Sequence, residues 1–143
     1  MGSESSLGVV MTPLKIIHAD GGNVLHGLKC GEAEYKGFGE AYFSWINPDM
    51  IKAWKRHKRM TMNLVVPVGR VRFVFRNEEN NTFMCQTLGS EFYNRLTVPP
   101  GIWFGFQNLA AEPSLVLNMA NMEHDPDEVD RKNLDAFVFD WSQ

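Results

Sequence analysis

The sequence predicts an all-β domain, a sandwich or barrel of short strands. Three observations carry that prediction. Runs rich in β-branched and aromatic residues recur at a spacing of about 8–12 residues. Strong turn signals separate them, among them Asp20-Gly21-Gly22-Asn23, Asn47-Pro48-Asp49, Pro67-Val68-Gly69-Arg70 and Pro99-Pro100-Gly101. Almost nothing between the turns has the period of a helix.

A chain of 143 residues is one domain's worth. At 44% hydrophobic and 12% aromatic residues it can bury a sizeable core. A net charge of −3 argues against a general nucleic-acid binder. No run approaches the ~18 apolar residues of a membrane span, so no membrane partner is expected. Cys30 and Cys85 stand apart without Cys-x-x-Cys spacing and read as free thiols of a reducing cytoplasm. The N-terminus shows no basic-then-apolar signal pattern.

Residues 1–12, opening Met1-Gly2-Ser3-Glu4, read as a flexible tail, and residues 13–143 as the domain. Pro13 to His18 is a first strand, and Val24 to Lys29 a second strand or a tight excursion. His18 and His26 have no companion ligand at useful spacing and read as surface histidines. Gly37 to Ile46 is an aromatic strand that Asn47-Pro48-Asp49 ends. The chain then loops into a strand expected to begin near Lys55. Leu64 to Val68 and Val71 to Phe75 flank the Pro-x-Gly turn as a hairpin. Arg70 and Arg72 alternate with Val71 and Phe73, giving that strand one wet and one dry face. Thr82 to Leu88 returns, Tyr93 to Val98 leads into the Pro-Pro-Gly corner, and Ile102 to Gln107 runs on. Ser114 to Ala120 is a further strand, His124 to Glu128 an acidic segment, and Phe137 to Trp141 a final short strand.

The densest polar chemistry surrounds His57, flanked by Lys52, Lys55, Arg56, Lys58 and Arg59. Strand side chains alternate with period 2, so a strand continuing through this stretch puts His57, Arg59, Thr61 and Asn63 on one face. Inside a barrel that face suits an anionic or oxygen-rich ligand; on the outside it is a solvated edge. Trp103, Phe104 and Phe106 read as barrel lining ahead of a nucleotide-stacking surface. No Gly-x-Ser-x-Gly, phosphate loop or dinucleotide fingerprint is present.

The histidine strand, the Pro-x-Gly hairpin and then Pro100-Gly101-Ile102-Trp103-Phe104-Gly105-Phe106, Asp127-Glu128 and Phe139-Asp140-Trp141 fall in a telling order. That layout resembles the cupins, small jelly-roll β-barrels. More narrowly it resembles their nucleotide-sugar branch, the dTDP-4-dehydrorhamnose 3,5-epimerases and dTDP-4-keto-6-deoxyhexose 3,4-ketoisomerases. The likeness covers roughly residues 13–141. It implies a single jelly-roll barrel, a homodimer paired through edge strands, and a nucleotide sugar as the small-molecule partner. Metal-binding cupins carry His-x-His, a nearby Glu and a second-motif His. Here those places hold Lys55-x-His57, Thr61 or Met62, and Phe104. One donor remains where a transition metal takes three or four, so neither metal nor cofactor is expected.

The ketoisomerase pattern Arg-Gly-x-His-x-His-Lys falls on Lys52 for the arginine, Lys55 for the first histidine, His57 for the second and Lys58 for the lysine. Its upstream tyrosine falls on Tyr42. The epimerase Arg-Gly-Leu-His motif is not found, and the acid supporting its base is placed by resemblance at Asp135. The implied reaction removes a carbon-bound proton beside a ketone, which needs a base that titrates near neutrality and a donor for the enolate. His57 is the base, kept neutral by the surrounding cations, and Tyr42 the partner acid. Lys52, Lys55 and Arg59 bind the diphosphate, while Thr61 and Asn63 hold sugar hydroxyls. The alternative is a non-catalytic cupin that binds a sugar or nucleotide sugar without turning it over.

Overall fold

The computed structural model describes residues 2–142, and strands are numbered in chain order. Among those residues there is no α-helix, and every strand pairing is antiparallel. The larger sheet has the order β1 (Ser3–Glu4), β2 (Val10–Pro13), β10 (Asn94–Val98), β7 (Met62–Val68), β12 (Ser114–Ala120), β5 (Glu40–Ile46). The second has the order β13 (Val129–Arg131), β6 (Ile51–His57), β11 (Phe104–Asn108), β8 (Arg70–Asn77), β9 (Thr82–Gly89). β3 (Ile16–Ile17) and β4 (Val24–Leu25) form a separate two-stranded ribbon.

The two sheets share one core. Met62, Leu64 and Val66 of β7 and Val116 of β12 meet Phe73 and Phe75 of β8 and Phe104 of β11 across the gap. These are alternate residues on each strand, so the period-2 pattern alone turns them to a common side. The outer face of the larger sheet is partly covered by the loop over residues 26–39. Arg95, fully buried, reaches out from β10 to Glu32 and Glu34, 3.1 Å from each, and pins that loop down.

Four sequence expectations are corrected. The expected tail over residues 1–12 is built into the domain: Val9 lies in the core, and β2 pairs with β10 from Thr97↔Val10 to Asn94↔Pro13. β6 starts at Ile51 rather than near Lys55, because β11 offers it a ladder from Ile51 to Lys55. β6 ends at His57, and residues 58–61 cross to the other sheet before β7 begins. Phe137 to Trp141 is no strand. It is an irregular strap whose rings cover Trp54, Val74 and Trp103 on the outer face of the second sheet. Trp54 Nε1 donates to Leu134 O at 3.1 Å just ahead of the strap, and Arg72 Nη2 donates to Trp141 O at 2.7 Å at its far end.

One irregularity sets up the site. Between Phe104 and Gly105 the register against β6 shifts: Phe104 faces Lys55, Gly105 faces Ala53 and Phe106 faces Lys52. The extra residue, Trp54, lies on the outer side. A bulge of this kind re-aims side chains. Here it leaves Lys52, Lys55 and His57 all on the side of Phe104 and Phe106, facing the core.

Candidate active site

Strands from both sheets enclose a cavity of about 60 Å³. β6 supplies Lys55 and His57, β5 supplies Tyr42 and Ser44, and β12 supplies Asn118. Met62, Leu64, Phe73, Phe104, Phe106 and Val116 make the rest of the wall. Lys55, Phe104 and Phe106 also line an adjoining cleft of about 460 Å³, with Lys52, Arg131 and Lys132 at its sides. The cleft gives a larger ligand room.

His57 is 8% exposed and stacks on Phe104 with ring centroids 5.9 Å apart. Its Nδ1 is in close hydrogen-bond contact with Glu128 Oε1. Glu128 is 1% exposed and closes a short 3-10 turn (Pro126–Glu128) that leads straight into β13. Its second oxygen accepts from the backbone amides of Arg59 and Met60, each at 3.1 Å. Burial pushes the Glu128 carboxyl up. The hydrogen bonds from His57 and the two amides, with attraction to His57, outweigh that and hold it below its ordinary value. A carboxylate on Nδ1 makes that nitrogen the donor and leaves the Nε2 lone pair as the acceptor. Nε2 has no protein partner among the described residues.

Tyr42 enters from the facing sheet. Asn118 Nδ2 donates to its phenol oxygen at 3.0 Å. Lys55 is half-buried on the His57 face, and burial, reinforced by Arg131 and Lys52, pulls its ammonium below the usual lysine range. Lys52 donates to Trp45 O at 2.9 Å and sits 5.9 Å over the Phe106 ring.

Of the sequence-expected site, His57, Tyr42 and Lys55 share the cavity, and Lys52 lies in the adjoining cleft. Arg59, Thr61 and Asn63 do not join them. Arg59 is exposed and pairs with Asp125 at 2.9 Å, and the Thr61 amide donates to Asn121 Oδ1 at 2.8 Å. Asn63 faces the opposite side of β7, where its Oδ1 accepts from Thr97 at 2.6 Å and its Nδ2 donates to Glu34 O. The physical reason is the break after His57, which hands the inward positions to Met62 and Leu64. Asp135 is exposed in the 3-10 turn Leu134–Ala136 ahead of the strap, and the carboxylate that meets His57 is that of Glu128. Of the cations expected to keep the ring neutral, Lys52 and Lys55 stay on the cavity side and Arg59 turns out to Asp125, and the group that meets the imidazole is the Glu128 carboxylate.

Glu128, Asn118, Ser44, Arg131 and Lys132 are the residues that sequence reasoning missed as site residues. Asp127-Glu128 was visible as a motif, but its role depends on the three-residue β13, too short to read from a pattern. Asn118 stands in a run apolar on both faces, so alternation gives no inward side.

The fold and site define a class: an antiparallel two-sheet enzyme that presents a histidine–carboxylate pair and a tyrosine to one cavity. No protein-family model matches the chain. The dTDP sugar isomerase of Desulfovibrio desulfuricans G20 superposes with a TM-score of 0.89 at 36% identity, over 94% of this chain and 90% of that one. The chain belongs to the family of dTDP-sugar isomerases. The sugar 3,4-ketoisomerase QdtA of Thermoanaerobacterium thermosaccharolyticum, solved with TDP, shares the fold: TM-score 0.76, 15% identity, 90% of each chain. The probable low-salt glycan biosynthesis epimerase Agl13 of Haloferax volcanii is 24% identical over 100 residues, 66% of this chain. That match spans 64% of the relative's own length.

Proposed function

We propose that this protein is an isomerase of a nucleotide-linked 4-keto-6-deoxy sugar, transferring a proton at the carbon next to the ketone. The observation that carries the reading is the buried His57–Glu128 pair facing the same cavity as Tyr42, beside a cationic cleft. Among the described residues no three His, Cys, Asp or Glu side chains converge as a metal site.

The diphosphate lies in the cleft against Lys52, Arg131 and Lys132, each a charged donor to phosphate oxygen. This places the sugar's ketone edge at Lys55, His57 and Tyr42. His57 Nε2 removes the proton alpha to the carbonyl, and Glu128 stabilises the imidazolium formed. The electron pair moves onto the carbonyl oxygen, where Lys55 or the Tyr42 hydroxyl donates to the developing enolate. Once the enolate oxygen has kept the donated proton and the hydroxyl on the deprotonated carbon has given its own up, return of the proton from His57 to the former carbonyl carbon shifts the ketone, giving ketoisomerisation. Delivery from Tyr42, which stands on the facing sheet, inverts the centre, giving epimerisation.

The same reading takes the two sheets as halves of one jelly-roll barrel, and the enzyme as a cytoplasmic homodimer. Support for pairing comes from the edge strand β5, whose Phe43 and Trp45 are 62% and 57% exposed beside its unpaired edge. Among the described residues no helix is long and apolar enough to cross a membrane.

The test is proton exchange. The protein is incubated with dTDP-4-keto-6-deoxyglucose in deuterated water and the sugar is followed by NMR. Protein-dependent loss of the C3 or C5 proton signal is expected, the exchanging carbon shows where the base acts, and the product sugar distinguishes epimerisation from ketoisomerisation. Shift changes without exchange would replace this reading with that of a non-catalytic sugar-binding cupin.

A further inference from the structure

Asn118 is a polar residue in an apolar place. It points inward from β12 between Val116 and Ala120, is 2% exposed, and borders the cavity. A buried amide destabilises the fold unless its polar atoms are paired. Only half of this one is. Nδ2 donates to the Tyr42 oxygen at 3.0 Å and lies 3.9 Å from the Met60 sulfur. Oδ1 is buried with no hydrogen-bond partner among the described residues.

We propose that Asn118 is a positioning residue that turns the Tyr42 proton toward the substrate and offers its own Oδ1 to a hydroxyl of the bound sugar. The inference rests on the isomerase reading above. A phenol oxygen that accepts from Nδ2 cannot also donate along that line, so its O–H is directed elsewhere, and the cavity is the space it borders. Oδ1 is an acceptor only, so the group it lacks is a donor; on a keto sugar the donors are hydroxyls. A sugar hydroxyl next to the ketone satisfies it and holds the reacting carbon near His57. A site of this kind discriminates against analogues lacking the hydroxyl, because Oδ1 would stay orphaned.

Two variants test this. Asn118→Leu keeps the volume and removes both hydrogen bonds. Asn118→Asp keeps the shape but turns the group facing Tyr42 into an acceptor, which draws the phenol proton away from the substrate. TDP alone should bind both within about twofold of wild type, since the nucleotide's phosphates sit in the cationic cleft. On the keto sugar, Asn118→Asp should lower kcat by about 10- to 100-fold with KM nearly unchanged, within the range of one acid–base contribution. Asn118→Leu should lower kcat and raise KM. In a Tyr42→Phe background the kcat loss from Asn118→Leu should shrink, because the two groups act as one unit. An undiminished loss in that background, or an equal fall in TDP affinity, overturns the proposal. If the wild type itself exchanges no sugar proton, the isomerase reading fails, and the inference is then read from binding. Wild type should hold dTDP-4-keto-6-deoxyglucose more tightly relative to TDP than Asn118→Leu does, and an identical ratio in the two proteins overturns it.

Discussion

At the scale of the residue, the site depends on a carboxylate held charged in a buried place. Glu128 is lowered because three donors converge on it against the cost of burial. A lowered folded pKa adds stability above the unfolded carboxyl value, near 4.3, and that stability is lost as pH falls through the folded value. Glu128→Gln keeps the shape and removes the charge. Its acid unfolding, followed by circular dichroism, should therefore lose less stability below about pH 4 than wild type does. At neutral pH the same variant should lower kcat by roughly 10²–10⁴, since the imidazolium loses its counter-charge and its tautomer is no longer fixed. Retained exchange with normal pH dependence would remove Glu128 from the mechanism.

At the scale of the element, the bulge in the β6–β11 ladder divides two environments. It sends Lys52, Lys55 and His57 to the cavity side and Trp54 to the strap side. Gly105 sits at the contact: a Cβ there would meet Ala53 Cβ at 2.6 Å and the Trp141 ring at 3.1 Å. Gly105→Ala must therefore push the strap or the strand away. Overpacking of this kind costs about 1–3 kcal/mol. A fall in Tm is expected, with near-ultraviolet circular dichroism reporting loosened tryptophans, and an unchanged Tm would show that the strap moves freely. The strap reads as a short strand in the sequence, and no pattern could tell that its rings pack on a sheet without joining its ladder.

At the scale of the whole molecule, β5 ends the larger sheet with an apolar outer row and, among the described residues, no strand beyond it. Phe43 and Trp45 lie opposite Leu117 and Leu115 of β12, so the four form one patch. Large exposed apolar patches on a free edge favour association. Replacing Phe43 and Trp45 with Glu should convert a homodimer to a monomer in sedimentation velocity without lowering Tm. A wild type that sediments as a monomer at all concentrations would reject pairing through this edge.

The sequence by itself determined the all-β class and most of the strands, because period-2 burial and proline–glycine turns are local signals. His57, Tyr42 and Lys55, singled out through the motif they resemble and the charge around it, do line one cavity. Only the tertiary structure decided what they meet. Whether Thr61 and Asn63 share the His57 face depended on where β6 stops and which sheet β7 joins, and neither is written in the strand pattern. The partnership of His57 with Glu128 links residues 71 positions apart, and that of Tyr42 with Asn118 links residues 76 apart. Such pairs are made when distant strands pack, and no local periodicity encodes them.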